Sequence, residues 1–173
     1  METEVAGMRG DGIPENMFGP VPEAFYGSVG RVVMMAAMLE VRLLDLLTEL
    51  DRSTQDRYAG EQASALIKQC RALLPRYDAK FAASARGVLD QTATALEQRN
   101  FVVHSVWPSP GLAEAFGWRP VRKAQRPSSG QPYLGTRVDL TWLRALIDRL
   151  VLLVAEVDGL RGRAASTRQP APP

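Results

Sequence analysis

VGRVVMMAAMLEVRLLDLLTEL, residues 29–50, is the stretch on which the fold turns. Val29, Val32, Val33, Ala36, Leu39, Leu43, Leu46, Leu47 and Leu50 recur at three- and four-residue steps. That is the period of one face of an α-helix. Met34, Met35 and Met38 widen the apolar face. The spacing predicts a helix over residues 23–50, with Pro20 and Pro22 punctuating its approach. A helix this broadly apolar is central to a bundle or touches a second subunit. Gly27 and Gly30 either permit a close helix approach or weaken the first turns.

Three more helices follow by the same reasoning. Ser53 with Asp56 reads as a capping pair for the second helix. Its stripe is Ala59, Ala63, Leu66, Ile67, Cys70, Leu73 and Leu74, and Pro75 ends it. Asp78 is a cap for the third helix, where Phe81, Ala85, Val88, Leu89, Thr92 and Leu96 share a face that leads to Arg99. Asp139 caps the fourth, with Leu140, Leu143, Leu146, Ile147, Leu150, Val151, Val154 and Val157 as its stripe and Gly159 as its stop. Between helices three and four, residues 108–138 lose helical periodicity and gain Pro, Gly and Ser. Residues 118–125 and 133–138 read as two short strands around Pro127-Ser128-Ser129-Gly130. The expected fold is all-α: an antiparallel four-helix bundle, with room for a fifth helix, and a long loop or short hairpin before the last helix.

Residues 1–19 read as a loose arm, 20–160 as one domain, and 161–173 as a disordered basic tail. The chain has 173 residues, 46% of them hydrophobic, which suffices for one core. Its net charge is +2. One cysteine excludes an internal disulfide, and Cys70 reads as a buried thiol. The start of the chain lacks the basic and apolar regions of a signal peptide. The longest apolar run, Val32–Leu39, is eight residues and too short to span a bilayer. These features point to a cytoplasmic protein without membrane partners. No Cys-x-x-Cys, histidine cluster or Glu-x-x-His occurs, so neither metal nor cofactor is expected. The phosphate-loop signature is also missing, as is a hydrolase nucleophile signature.

Arg99-Asn100-Phe101-Val102-Val103-His104 holds the chain's single histidine, five residues beyond an arginine. An imidazole moves protons near neutral pH, and a guanidinium presents a planar fork matched to phosphate oxygens. Cleaving a phosphodiester by its neighbouring 2′-hydroxyl needs a base, an acid and a cation. On an ideal helix five residues span about 140° of rotation and about 7.5 Å of rise. The two side chains therefore do not share a face: either the arginine side chain curls back, or the helix bends, or the working pair is intermolecular, the last being the favoured reading. Each residue also has a structural reading: an ion pair of Arg99 with Glu97 or another acid, and a helix kink accepted by Asn100.

The hexapeptide resembles the Arg-x4-His signature of the HEPN domain family in its tighter form, Arg-Asn-x-x-x-His. The likeness covers residues 23–158 in architecture and six residues in motif. It implies a metal-independent endoribonuclease that acts as a dimer, a toxin or defence effector, with Arg99 and His104 as catalytic residues. A homodimer through helix one and the motif region is implied, with RNA as substrate and an antitoxin or nucleotidyltransferase as partner. Asn100, Ser105 and Glu40 are candidate substrate contacts, Glu40 either pairing with Arg99 or facing solvent beside Arg42. Arg119, Arg122, Lys123 and Arg126 form a basic stretch with Trp118 and Tyr133. Such interleaving suits a nucleic-acid backbone with stacked bases, and it also suits a solvated loop. The rival function is a non-catalytic RNA- or protein-binding dimer of the same fold.

Overall fold

The computed structural model describes residues 23–105, 107, 114–120 and 133–167. The described chain is a helical bundle of three long helices and one short one, with one hairpin. Helix α1 is Glu23–Asp51, α2 Ala63–Leu73, α3 Ala79–His104 and α4 Leu140–Thr167. Strands β1 (Glu114–Pro120) and β2 (Tyr133–Asp139) pair antiparallel, with Trp118 opposite Gly135 and Gly117 opposite Thr136. The chain forms two compact units, one drawn from residues 1–31 and 100–145, the other from 32–99 and 146–173.

The second unit is held by leucine. Leu39, Leu43, Leu46, Leu47 and Leu50 of α1 are fully buried, as are Leu89 of α3 and Leu150, Leu153 and Leu160 of α4. Removing such side chains from water supplies about 1.5–3 kcal/mol each. Polar ties mark the packing order. Glu40 pairs with Arg99, and the Tyr77 hydroxyl donates to the Leu50 carbonyl at 2.9 Å, so α1 and α3 run antiparallel. Arg149 reaches Gln91 between α4 and α3, and Arg71 reaches Asp90 between α2 and α3. Exposed ties of this kind add about 0–1 kcal/mol each. In the first unit Phe25, Phe101, Val102, Val138 and Leu143 are buried.

Two caps form as the sequence indicates. Asp78 accepts from the Phe81 amide at 2.9 Å and Asp139 from the Trp142 amide at 2.6 Å, each satisfying a donor that the first turn leaves open.

Several boundaries differ from expectation. Ser53 and Asp56 do not start α2. A separate 3-10 turn, Gln55–Arg57, intervenes, and Ala59 is exposed while Tyr58 is buried in its place. The reason is Asp51, whose carboxylate accepts from the Tyr58 hydroxyl and from Arg57, both at 2.6 Å, and fastens the turn to the end of α1. Gly159 does not stop α4, and residues 161–167 of the expected disordered tail are helical. Burial of Leu160 and Ala164 carries the helix past its glycines. Strand β1 begins four residues before the expected 118, and the expected continuation over 121–125 lies outside the described residues. Val33 and Val151 are exposed although their spacing placed them inside. The N-terminal arm, the expected loop around Pro127 and residues 168–173 lie outside the described residues.

The end of α1 offers a stability test. Arg52 has a φ of 53°, and the amides of Ser53 and Arg52 donate to the carbonyls of Thr48 and Glu49. That is the double-bonded left-handed cap in which glycine is the favoured residue. Arg52→Gly is expected to stabilise the protein by about 0.5–1 kcal/mol, read from the urea midpoint.

Asp51 links stability to pH. The Tyr58 hydrogen bond, helped by the charges of Arg57 and Arg76, holds its carboxyl below the usual aspartate range against the opposing effect of burial. A carboxyl whose folded value is lowered stabilises above its unfolded value, and that contribution is lost as pH falls through the folded one. Tyr58→Phe should therefore destabilise most at neutral pH, and its difference from wild type should shrink in acid. Urea midpoints at pH 7 and pH 3 measure this.

Candidate functional site

Helix α3 carries both residues of the Arg-x4-His motif, Arg99 within its last two turns and His104 as its final residue. The last turn is anchored by Phe101 and Val102, which are buried, whereas Val103 and His104 are exposed. The chain's only imidazole is thus open to solvent at a helix end. Arg99 is half-buried, and its Nη2 donates to Glu40 Oε1 on α1. Of the alternatives open for Glu40, pairing with Arg99 is the one observed. The carboxylate holds one end of the guanidinium fork, whose donors have a set geometry. Asn100, half-buried, follows on the same turn.

Beyond His104 the chain is clamped by aromatic contacts. Trp107 meets Phe25 edge-on at 5.4 Å between ring centroids and Phe101 at 6.1 Å. Such T-shaped pairs contribute about 0.5–1.5 kcal/mol beyond area burial. The Cη2–Cζ3 edge of the indole lies against β1 at Gly117. A Cβ built there would sit 2.8 Å from two ring carbons of Trp107 and 3.1 Å from the Ser105 Cβ. Gly117→Ala should cost about 1–3 kcal/mol, because the hairpin or the indole must shift. Chemical denaturation followed by tryptophan fluorescence checks this. Trp107, Phe25 and Gly117 were not singled out from the sequence. The available signal was a glycine inside a strand, which marks close backbone approach.

Ser105 follows the motif. Its hydroxyl oxygen is buried and has no hydrogen-bond partner among the described residues. Arg119 lies in β1, and Arg137 is exposed on β2. Arg122, Lys123 and Arg126 lie outside the described residues. Cys70 is buried, and desolvation pushes its thiol up to about 12, which makes it inert as a nucleophile.

Among the described residues no helix is long and apolar enough to cross a membrane. No known protein family, curated protein or solved structure matches the chain.

Proposed function

We propose that this chain is a HEPN-like, metal-independent endoribonuclease working as a homodimer in the cytoplasm, through α1 and the motif region. The observation that carries the reading is the placement of the only histidine, exposed at the end of α3, five residues beyond an arginine whose guanidinium is held in place by Glu40. His104 of one copy takes the proton of a ribose 2′-hydroxyl. The oxygen attacks the adjacent phosphorus, and the bond to the 5′-oxygen breaks. His104 of the other copy gives its proton to that leaving oxygen. Arg99 neutralises the crowded phosphate during the step. The products are a 2′,3′-cyclic phosphate and a 5′-hydroxyl. Asn100 and the arginines and lysine of the 119–126 segment would hold the RNA strand. A toxin or defence effector fits this chemistry, held in check by an antitoxin or a modifying nucleotidyltransferase.

The test is direct. Purified full-length chain is incubated with single-stranded RNA in excess chelator, and the new ends are identified. Cyclic phosphate ends that disappear with Arg99→Ala support the reading. Uncleaved RNA, or equal cleavage by wild type and the variant, overturns it.

One observation favours the rival reading of a non-catalytic RNA- or protein-binding dimer. Arg99 already faces a carboxylate, which offsets part of the charge a phosphate would meet. That reading predicts RNA retention on a filter without new ends.

A further inference from the structure

One line along the solvent side of α1 is apolar over five turns. Met34 is 71% exposed and Val41 54%, Ala37 is exposed and Leu44 partly so. Gly27 and Gly30, both exposed, continue the same line toward the start of the helix. Residues 27, 30, 34, 37, 41 and 44 alternate by three and four, the spacing of a helix–helix seam. Continuous apolar lines of this length are rarely left to water.

We infer that this line is a self-association seam in which α1 of one copy packs antiparallel on α1 of a second, with Met34 opposite Ala37, Gly30 opposite Val41 and Gly27 opposite Leu44. The inference rests on the dimeric reading above and specifies its geometry. Size complementarity supports it. Every layer of this register sets a small residue against a large one, and each pairing occurs twice about the two-fold. Interdigitation of large and small residues is what fills a helix interface without gaps. A parallel pair would stack glycine on glycine and leave voids at one end.

Charge removes the competing arrangements. In a parallel seam the residues flanking the line would bring Glu40 of each copy beside Asp45 of the other. The antiparallel register shifted by one heptad would bring Glu40 against Glu40. Like charges at those flanking positions disfavour both. In the proposed register Arg31 lies opposite Met38 and Glu40 opposite Val33, so no like charges meet. The two-fold then falls level with residues 35 and 36. Glu40 is about 7 Å from it along the helix, so the two Glu40-held Arg99 groups lie about 14 Å apart along that axis. The two Arg99 groups, each held by the Glu40 that flanks the seam, thereby lie on either side of the two-fold.

Disulfide trapping reads the register. No atom lies within 4 Å of a Cβ added at Gly30, Val41 is exposed, and native Cys70 is buried, so introduced cysteines report alone. Gly30→Cys chains mixed with Val41→Cys chains under mild oxidation should give the mixed disulfide dimer in at least tenfold excess over either self-linked dimer. Val41→Glu should sediment as a monomer where wild type is a dimer, with unchanged helicity. Gly30→Cys chains that link to themselves faster than the mixed pair forms would mean a parallel seam and overturn the inference. Wild type that is monomeric at all concentrations overturns it as well. These measurements read association and not cleavage. A correctly cross-linked dimer that leaves RNA intact therefore rejects the nuclease reading alone.

Discussion

His104→Ala is expected to lower RNA cleavage by about 10²–10⁴-fold, the usual loss when a general acid or base is removed. The fold should survive, because His104 is exposed at the end of α3 and the buried Phe101 and Val102 anchor that turn. Surface substitutions away from buried groups change stability by about 0.5 kcal/mol or less. Equal thermal midpoints for variant and wild type therefore separate lost chemistry from lost structure. The dimeric mechanism adds a sharper expectation. When His104→Ala and wild type are co-expressed at equal levels, about one quarter of dimers carry two imidazoles. If acid and base come from different copies, activity falls to about that quarter. If each imidazole works alone, activity falls only to about half, and the composite site is wrong.

Leu43→Ala carries the largest expected effect on stability. Leu43 is fully buried on α1, midway along the leucine row of the second unit. Deleting three carbons there removes transfer free energy and leaves a cavity, together costing about 3–5 kcal/mol. Domains of this size are stable by about 5–15 kcal/mol, so the variant should lose about a fifth or more of its stability, read as a fall in urea midpoint at unchanged slope. Leu152→Ala is the control. It deletes the same atoms from a side chain that is 64% exposed on α4, and should change stability by about 0.5 kcal/mol or less. Equal losses at the two positions would mean that the buried row does not hold the unit together.

Much of the helical architecture was legible in the residues. The three-and-four spacing from Val29 to Leu50 marks α1 because helical rotation maps that spacing onto one face. Asp78 and Asp139 were readable as caps because a short acceptor before an apolar run has one favourable local use. The hairpin before α4 was foreseeable, but its β1 register was not. Strand pairing depends on what lies against Gly117, and that is Trp107, outside both strands. The motif was legible as residue types at a spacing. The partner of Arg99 was not decided there, since Glu40 lies 59 positions away in the chain and two roles were open to it.

Which segments are helical, where two of them begin and which side chains are equipped for proton transfer were determined by the sequence alone, because these follow from interactions within a few residues. Which apolar residues face out, why α4 runs through Gly159, why Ser105 turns inward and why Arg99 meets Glu40 were decided only by the tertiary structure. Each depends on burial against chain far away in sequence, and in α4 the buried Leu160 and Ala164 outweigh the local preference for a stop.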